Sequence, residues 1–166
     1  FGDLLLLPLR LAEEDPQSQD ALSRLFDHVL VDEFQDVNQV QYRLVRAFAS
    51  EKQNLCVVGD DDQSIYRWRG GDVRLIRNFR RDFPDATVVK LEENYRSTKA
   101  ILDIANSVIQ NNFERMPKKL FTERLGGETP MVYTTADDVQ EATKVVSLVT
   151  QALRDVPAQE IAVLYR

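Results

Sequence analysis

The chain has 166 residues, 43% hydrophobic and 29% charged, with a formal net charge of -6. That length suits one domain or parts of two, and the composition is that of a soluble globular protein able to bury a core. It excludes a helical membrane protein: no apolar stretch approaches the roughly 18 residues of a span, and no signal-peptide pattern is present.

The opening FGDLLLLPLRL is apolar but interrupted by Pro8 and Arg10. The first strand candidate is HVLVD at 28–32, which ends abruptly in Asp32 and Glu33, with Asp36 shortly after. A helix is expected from Asn38, with Gln41 completing a capping box and Val40, Leu44, Val45 and Phe48 on one face. The run LCVVG at 55–59 is a second strand. It holds the one cysteine, Cys56, which has no internal disulfide partner and is expected to pack as a small core residue, in keeping with a reducing cytoplasm. Beyond it Arg67, Arg69, Arg74, Arg77, Arg80 and Arg81 crowd into one stretch, a local basic patch inside an acidic protein or in part a solvated helix face.

A third strand is expected at 87–91, then a helix from an N-cap at Ser97 with Ile101, Ala105, Val108 and Ile109 on its apolar face. Residues 111–130 carry the turn residues and mixed charge of a long connection that could separate two structural units. Apolar runs at 131–134 and 161–165 flank a helix whose face is Val139, Ala142, Val146, Val149 and Leu153. Strands alternating with helices imply parallel α/β layers, and runs with little alternation imply strands covered on both faces. The chain begins at Phe1 without a methionine, which suggests a fragment.

Three constellations carry chemistry. In parallel α/β sheets ligands bind at the carboxyl ends of strands, where Asp32 and Glu33 lie. One carboxylate there can hold Mg²⁺ while its neighbour orients or deprotonates a hydrolytic water; two solvated surface acids are the plain alternative. The second run likewise ends in an acid, Asp60, and supplies Gln63, placed to sense a phosphate. Tyr66 and Trp68 alternate with Arg67 and Arg69, a pattern that suits base stacking and backbone contact with single-stranded nucleic acid. Trp68 could equally be a core anchor. If that segment is extended, the aromatics share one side and the arginines the other. In LEENYRST, Arg96 could stabilise charge on a transferred phosphoryl group and Tyr95 could stack on a base, or Arg96 could pair with Glu92 or Glu93.

Taken together, VDEFQD, VVGDDDQSIYRWRGGD and LEENYRST resemble motifs II, III and IV of superfamily 1 DNA helicases of the UvrD, Rep and PcrA type. FGDLLLL and IAVLYR resemble the family's flanking segments, so the likeness spans nearly the whole chain. It implies parallel-sheet RecA-like motor domains, with residues 1–94 from the first and 95–166 from the second. It further implies ATP and Mg²⁺ as cofactors, single-stranded DNA and duplex junctions as partners, and 3′ to 5′ translocation in replication or repair. By the resemblance, Asp32 binds Mg²⁺, Glu33 activates water, and Gln35 and Gln63 couple the γ-phosphate to DNA. Tyr66, Trp68 and Arg69 would line the strand path, Tyr95 would stack near adenine, and Arg96 would be the arginine finger. The sequence contains no G-x-x-x-x-G-K-[ST] loop, so these 166 residues alone are expected to be inactive. A binding module that keeps the scaffold without the motor, and the motor part of a helicase-nuclease subunit, are the competing readings.

Overall fold

The computed structural model describes residues 2–165 and forms two compact units, one ending at Gly126 and the other starting at Gly127. The first unit opens with α1 (Gly2–Glu14) and α2 (Pro16–Ser23), neither of which the apolar patterning announced. Their junction is nonetheless a helix start in sequence terms: Asp15 accepts the N–H groups of Gln17 and Ser18, and Pro16 takes the position where a missing N–H costs nothing. Both helices pack on α3 (Gln39–Phe48), burying Leu9, Ala12 and Ala49.

Helix α3 also closes the crossover between two parallel strands, β1 (Val29–Val31) and β2 (Leu55–Val57), paired Val29 to Leu55, Leu30 to Cys56 and Val31 to Val57. Parallel neighbours need such a long return, since a tight turn can join only antiparallel ones. The capping box at its start forms as expected: Asn38 accepts the Gln41 N–H, and the Gln41 side chain accepts the Asn38 N–H. Phe34, Val37, Tyr42 and Leu75 make the core, with Val31, Val57, Ile76, Phe79 and Phe83 packed around them. Phe34 meets Tyr42 and Phe79 edge-on, with centroids 5.9 and 5.7 Å away. Two short helices, α4 (Arg74–Arg77) and α5 (Phe79–Asp82), supply the far wall.

Several sequence expectations need correction. Only one sheet face is covered: Leu30 is 76% exposed and Cys56 is exposed, so Cys56 is not a core residue. The runs at 87–91, 131–134 and 161–165 form no strands. A strand exists only through a lateral partner, and the nearest approach is a single parallel bridge between Glu93 and Phe121. Val89, Leu91, Val132 and Leu164 are accordingly exposed. Helix α6 (Lys99–Ile109) has Thr98, not Ser97, at its N-cap position. It buries Leu102 rather than the Ile101, Ala105 and Val108 stripe, because Asn106 one turn on donates to the Leu120 carbonyl (2.9 Å) and brings that side against the following loop. The second unit contains α7 (Asp138–Ala152), capped by Asp137, whose Val139 and Val146 remain exposed.

Tyr42 is 4% exposed and donates a 2.6 Å hydrogen bond to Asp82, tying α3 to the end of α5. Burial and that carboxylate push the phenol well above its ordinary value, so it stays a donor. Tyr42→Phe keeps the ring and removes the bond. Urea unfolding should show a loss of about 1–2 kcal/mol; an unchanged midpoint and slope would contradict this role.

Candidate functional site

The carboxyl end of β1 is a turn of three residues, Phe34–Asp36, entered through Asp32 and Glu33. Asp32 Oδ1 accepts the Glu33 N–H at 2.8 Å. Glu33 has φ of 50°, a left-handed backbone that side chains rarely adopt and that costs roughly 1–3 kcal/mol. Both acids are exposed, and neither enters an ion pair among the described residues. Asp32 Oδ2 and Glu33 Oε1 are free of hydrogen bonds among the described residues. Two exposed hard oxygen donors with open lone pairs fit a Mg²⁺ ion.

Behind them Gln35 is buried, only 1% exposed, and its amide spans the two strand ends. Its Nε2 donates to Glu33 Oε2 (2.6 Å), while its Oε1 accepts the Asp60 N–H (3.0 Å). The Phe34 N–H donates to the Val58 carbonyl (3.0 Å), and Ser64 donates to the Gln35 carbonyl (3.3 Å). Gly59 permits this approach, since a Cβ there would stand 2.6 Å from Gln35 Oε1 and 3.1 Å from the Phe34 nitrogen.

After β2 the chain turns through Asp60, Asp61 and Asp62. Asp60 accepts the Asp62 N–H through Oδ1 (2.9 Å) and the Gln63 amide through Oδ2 (2.8 Å). The carboxylate oxygens of these three residues approach one another closely enough for a metal, but the protein's own cations are already there. Lys118 is bonded to Asp60 and lies 3.7 Å from Asp61 and 3.3 Å from Asp62. Arg115 grips Asp62 with Nε (3.0 Å) and Nη2 (2.6 Å), and Arg77 reaches Asp61 at 3.1 Å. Three cations on three acids do not fit a further divalent ion.

Burial tends to raise the Asp60 and Asp62 carboxyls, yet Lys118 with Gln63 at the first, and Arg115 with Lys118 at the second, hold both below their ordinary values. Burial tends to lower the Lys118 ammonium, and Asp60 and Asp62 push it above its ordinary value instead. The carboxylate contribution to stability is thus present above the ordinary carboxylate range and lost as pH falls through the lowered values. The lysine contribution is present below its ordinary value and lost as pH rises through the raised one. Neutral pH lies between.

The aromatic segment is not extended. Arg67–Arg69 form one tight helical turn, so the arginine does not point away from the rings. The Arg69 guanidinium lies 5.1 Å from the Tyr66 centroid and 4.5 Å from that of Trp68, whose rings are 6.2 Å apart. Trp68 is 74% exposed, which removes the core-anchor reading. Gly71 seats this loop on the acid turn: a Cβ there would meet the Asp36 and Tyr66 carbonyl oxygens at 3.1 Å, and the next N–H, of Asp72, donates to the Val37 carbonyl (3.0 Å). In the basic stretch, Arg74, Arg77 and Arg81 are spent on Asp72, Asp61 and Asp82.

Tyr95 is 75% exposed and donates to Glu93 (2.6 Å). Arg96 pairs with neither Glu92 nor Glu93; their carboxylates take the Lys119 N–H and the Tyr95 hydroxyl. Among the described residues no hydrogen bond or ion pair joins Tyr95 or Arg96 to Asp32, Glu33, Gln35 or Gln63. The structure links Glu33, beside Asp32, through Gln35 to Asp60, whose carboxylate holds Gln63, and seats the loop of Tyr66, Trp68 and Arg69 on the same turn. Arg115 and Lys118, read only as part of a connection, are the residues that sequence reasoning missed.

Gly59→Ala should push Gln35 aside and break both strand-end bonds at once. We expect a loss of about 1–3 kcal/mol in urea unfolding with faster exchange of the Asp60 amide proton. Wild-type stability and exchange would contradict the packing described.

The family model described as the UvrD/REP helicase N-terminal domain matches residues 1–84, and the UvrD-like helicase C-terminal domain matches 89–166. The ATP-dependent DNA helicase PcrA of Staphylococcus aureus (strain Mu50 / ATCC 700699) is 44% identical over 167 aligned positions, covering 100% of this chain and 23% of the relative. The PcrA of Staphylococcus epidermidis (strain ATCC 12228 / FDA PCI 1200) shows the same 44% identity and the same coverage. The chain thus spans less than a quarter of the length of the curated relatives it matches. With one family model matching half of its residues and a second matching most of the rest, the chain belongs to the UvrD/Rep helicase family.

Proposed function

We propose that this chain is the coupling section of an ATP-dependent DNA helicase whose full-length polypeptide steps 3′ to 5′ along single-stranded DNA and opens duplex junctions in replication or repair. The observation that carries this reading is the Gln35 bridge. One amide ties the carboxylate of Glu33 to the backbone of Asp60, and the turn it belongs to supports the aromatic loop. A change at the nucleotide side therefore has a short, packed route to the DNA side.

In this reading Asp32 would hold Mg²⁺, and Glu33 orients the attacking water and takes its proton. When bound with ATP, the ion neutralises charge on the phosphate oxygens. Gln35 keeps Glu33 aimed, and Gln63 senses the γ-phosphate from the second strand end. Tyr66 and Trp68 offer stacking faces to bases, with Arg69 holding the two rings as a unit and facing the backbone. Tyr95 stacks near the adenine and Arg96 serves as the arginine finger, both from the start of a second RecA-like domain at 95–166, with 1–94 contributing to the first. The polypeptide acts in the cytoplasm, with partners drawn from repair or replication.

These 166 residues contain no phosphate-binding loop, and we expect no measurable ATP turnover from them alone. In the full-length polypeptide, DNA-stimulated turnover should fall about 10²- to 10⁴-fold on Glu33→Gln, with ATP binding retained because the amide replaces only the base. Turnover insensitive to Glu33→Gln would sink the assignment. Single-strand binding without any ATP turnover in the wild type would favour a binding module on the same scaffold.

A further inference from the structure

Gln63 is exposed and unbranched, so without support its amide would sample many rotamers. Among the described residues its side chain has one partner, Asp60 Oδ2, and the value of that contact depends on how firmly the carboxylate is held. Asp60 Oδ1 accepts the Asp62 N–H (2.9 Å) and is bonded to the Lys118 ammonium, whose side chain is only 17% exposed. Lys118 in turn lies among Asp60, Asp61 and Asp62, while Arg115 grips Asp62 with two nitrogens and the Met116 N–H donates to Asp61 (2.9 Å). The place between the acids that a divalent ion could have taken is thus filled by a side chain from a loop more than fifty residues downstream.

We propose that Lys118, supported by Arg115, is a positioning residue for Gln63, acting through the shared Asp60 carboxylate. The loop that provides it lies in the stretch matched by the C-terminal family model, and the acids it holds lie in the stretch matched by the N-terminal one. Lys118 touches neither nucleotide nor DNA in this role. It fixes one carboxylate so that the other oxygen presents Gln63 in a single orientation. The inference rests on the proposed γ-phosphate-sensing role of Gln63.

Two measurements on the full-length polypeptide test it. In DNA-stimulated ATP turnover, Lys118→Met should lower kcat about tenfold to a hundredfold while KM for ATP changes by less than about twofold. Lys118→Arg should recover most of the loss. The double variant Lys118→Met with Gln63→Ala should be no slower than Gln63→Ala alone. Turnover equal to that of the exposed-neighbour control Lys119→Met, or losses that multiply in the double variant, would overturn the proposal. The second measurement is independent of the motor: with ¹⁵N-glutamine labelling, the Gln63 side-chain amide resonance, assigned by its absence in Gln63→Ala, should move to a free-glutamine position in Lys118→Met and return in Lys118→Arg. An unmoved resonance overturns the inference even if turnover falls. A wild type with no DNA-stimulated turnover defeats the functional reading instead, and the resonance then decides the positioning claim alone.

Discussion

The two hydrogen bonds of the buried Gln35 amide are the constraint on which the site depends. A carboxamide excluded from water must place both its donor and its acceptor, and here the donor goes to Glu33 and the acceptor to the Asp60 N–H. Beyond the last ladder pair, Val31 and Val57, the ends of β1 and β2 are therefore held by this side chain together with the Phe34 N–H bond to the Val58 carbonyl and the Ser64 bond to the Gln35 carbonyl. Phe34, fully buried, anchors the same turn in the aromatic core, and the loop carrying Trp68 hangs from it through Gly71 and Asp72. Moving the turn would move acids and aromatics together.

Electrostatics separates two acidic turns that look alike in sequence. Asp60, Asp61 and Asp62 are largely withdrawn from water and matched by Arg77, Arg115 and Lys118. Asp32 and Glu33 are exposed, and no cation is paired with them among the described residues. The first group holds the fold of the turn, and the second leaves Asp32 Oδ2 and Glu33 Oε1 without a hydrogen bond among the described residues. The left-handed backbone at Glu33 adds to that contrast, since strain of this kind persists only where surrounding contacts over-determine the geometry.

Local signals in the sequence were read correctly where their physics is local. The capping box at Asn38, the strands expected at 28–32 and 55–59 and found at 29–31 and 55–57, and the order of the three motifs each depend on a few adjacent residues. The runs at 87–91, 131–134 and 161–165 carry the same β-branched composition but lack lateral partners, so composition alone could not make them strands. Helix α6 was read with the wrong face because a polar residue, Asn106, decides which side meets the neighbouring loop. Lys118 and Arg115 were invisible for a related reason: an ion pair between residues fifty or more positions apart leaves no periodicity to find. Trp68 was undecided in sequence because an exposed stacking face and a core anchor share the same residue type, and only its exposure separates them.

The proposed coupling carries nucleotide binding at the acid pair to Trp68 through the Gln35 turn. Its most direct test is the ¹⁹F resonance of fluorotryptophan at position 68 in the full-length polypeptide, assigned by Trp68→Phe, recorded with a non-hydrolysable ATP analogue and Mg²⁺ but no DNA. The resonance should move on nucleotide binding, and Gln35→Ala should abolish the movement while nucleotide still binds. A resonance indifferent to nucleotide, or one that moves equally in Gln35→Ala, would contradict it.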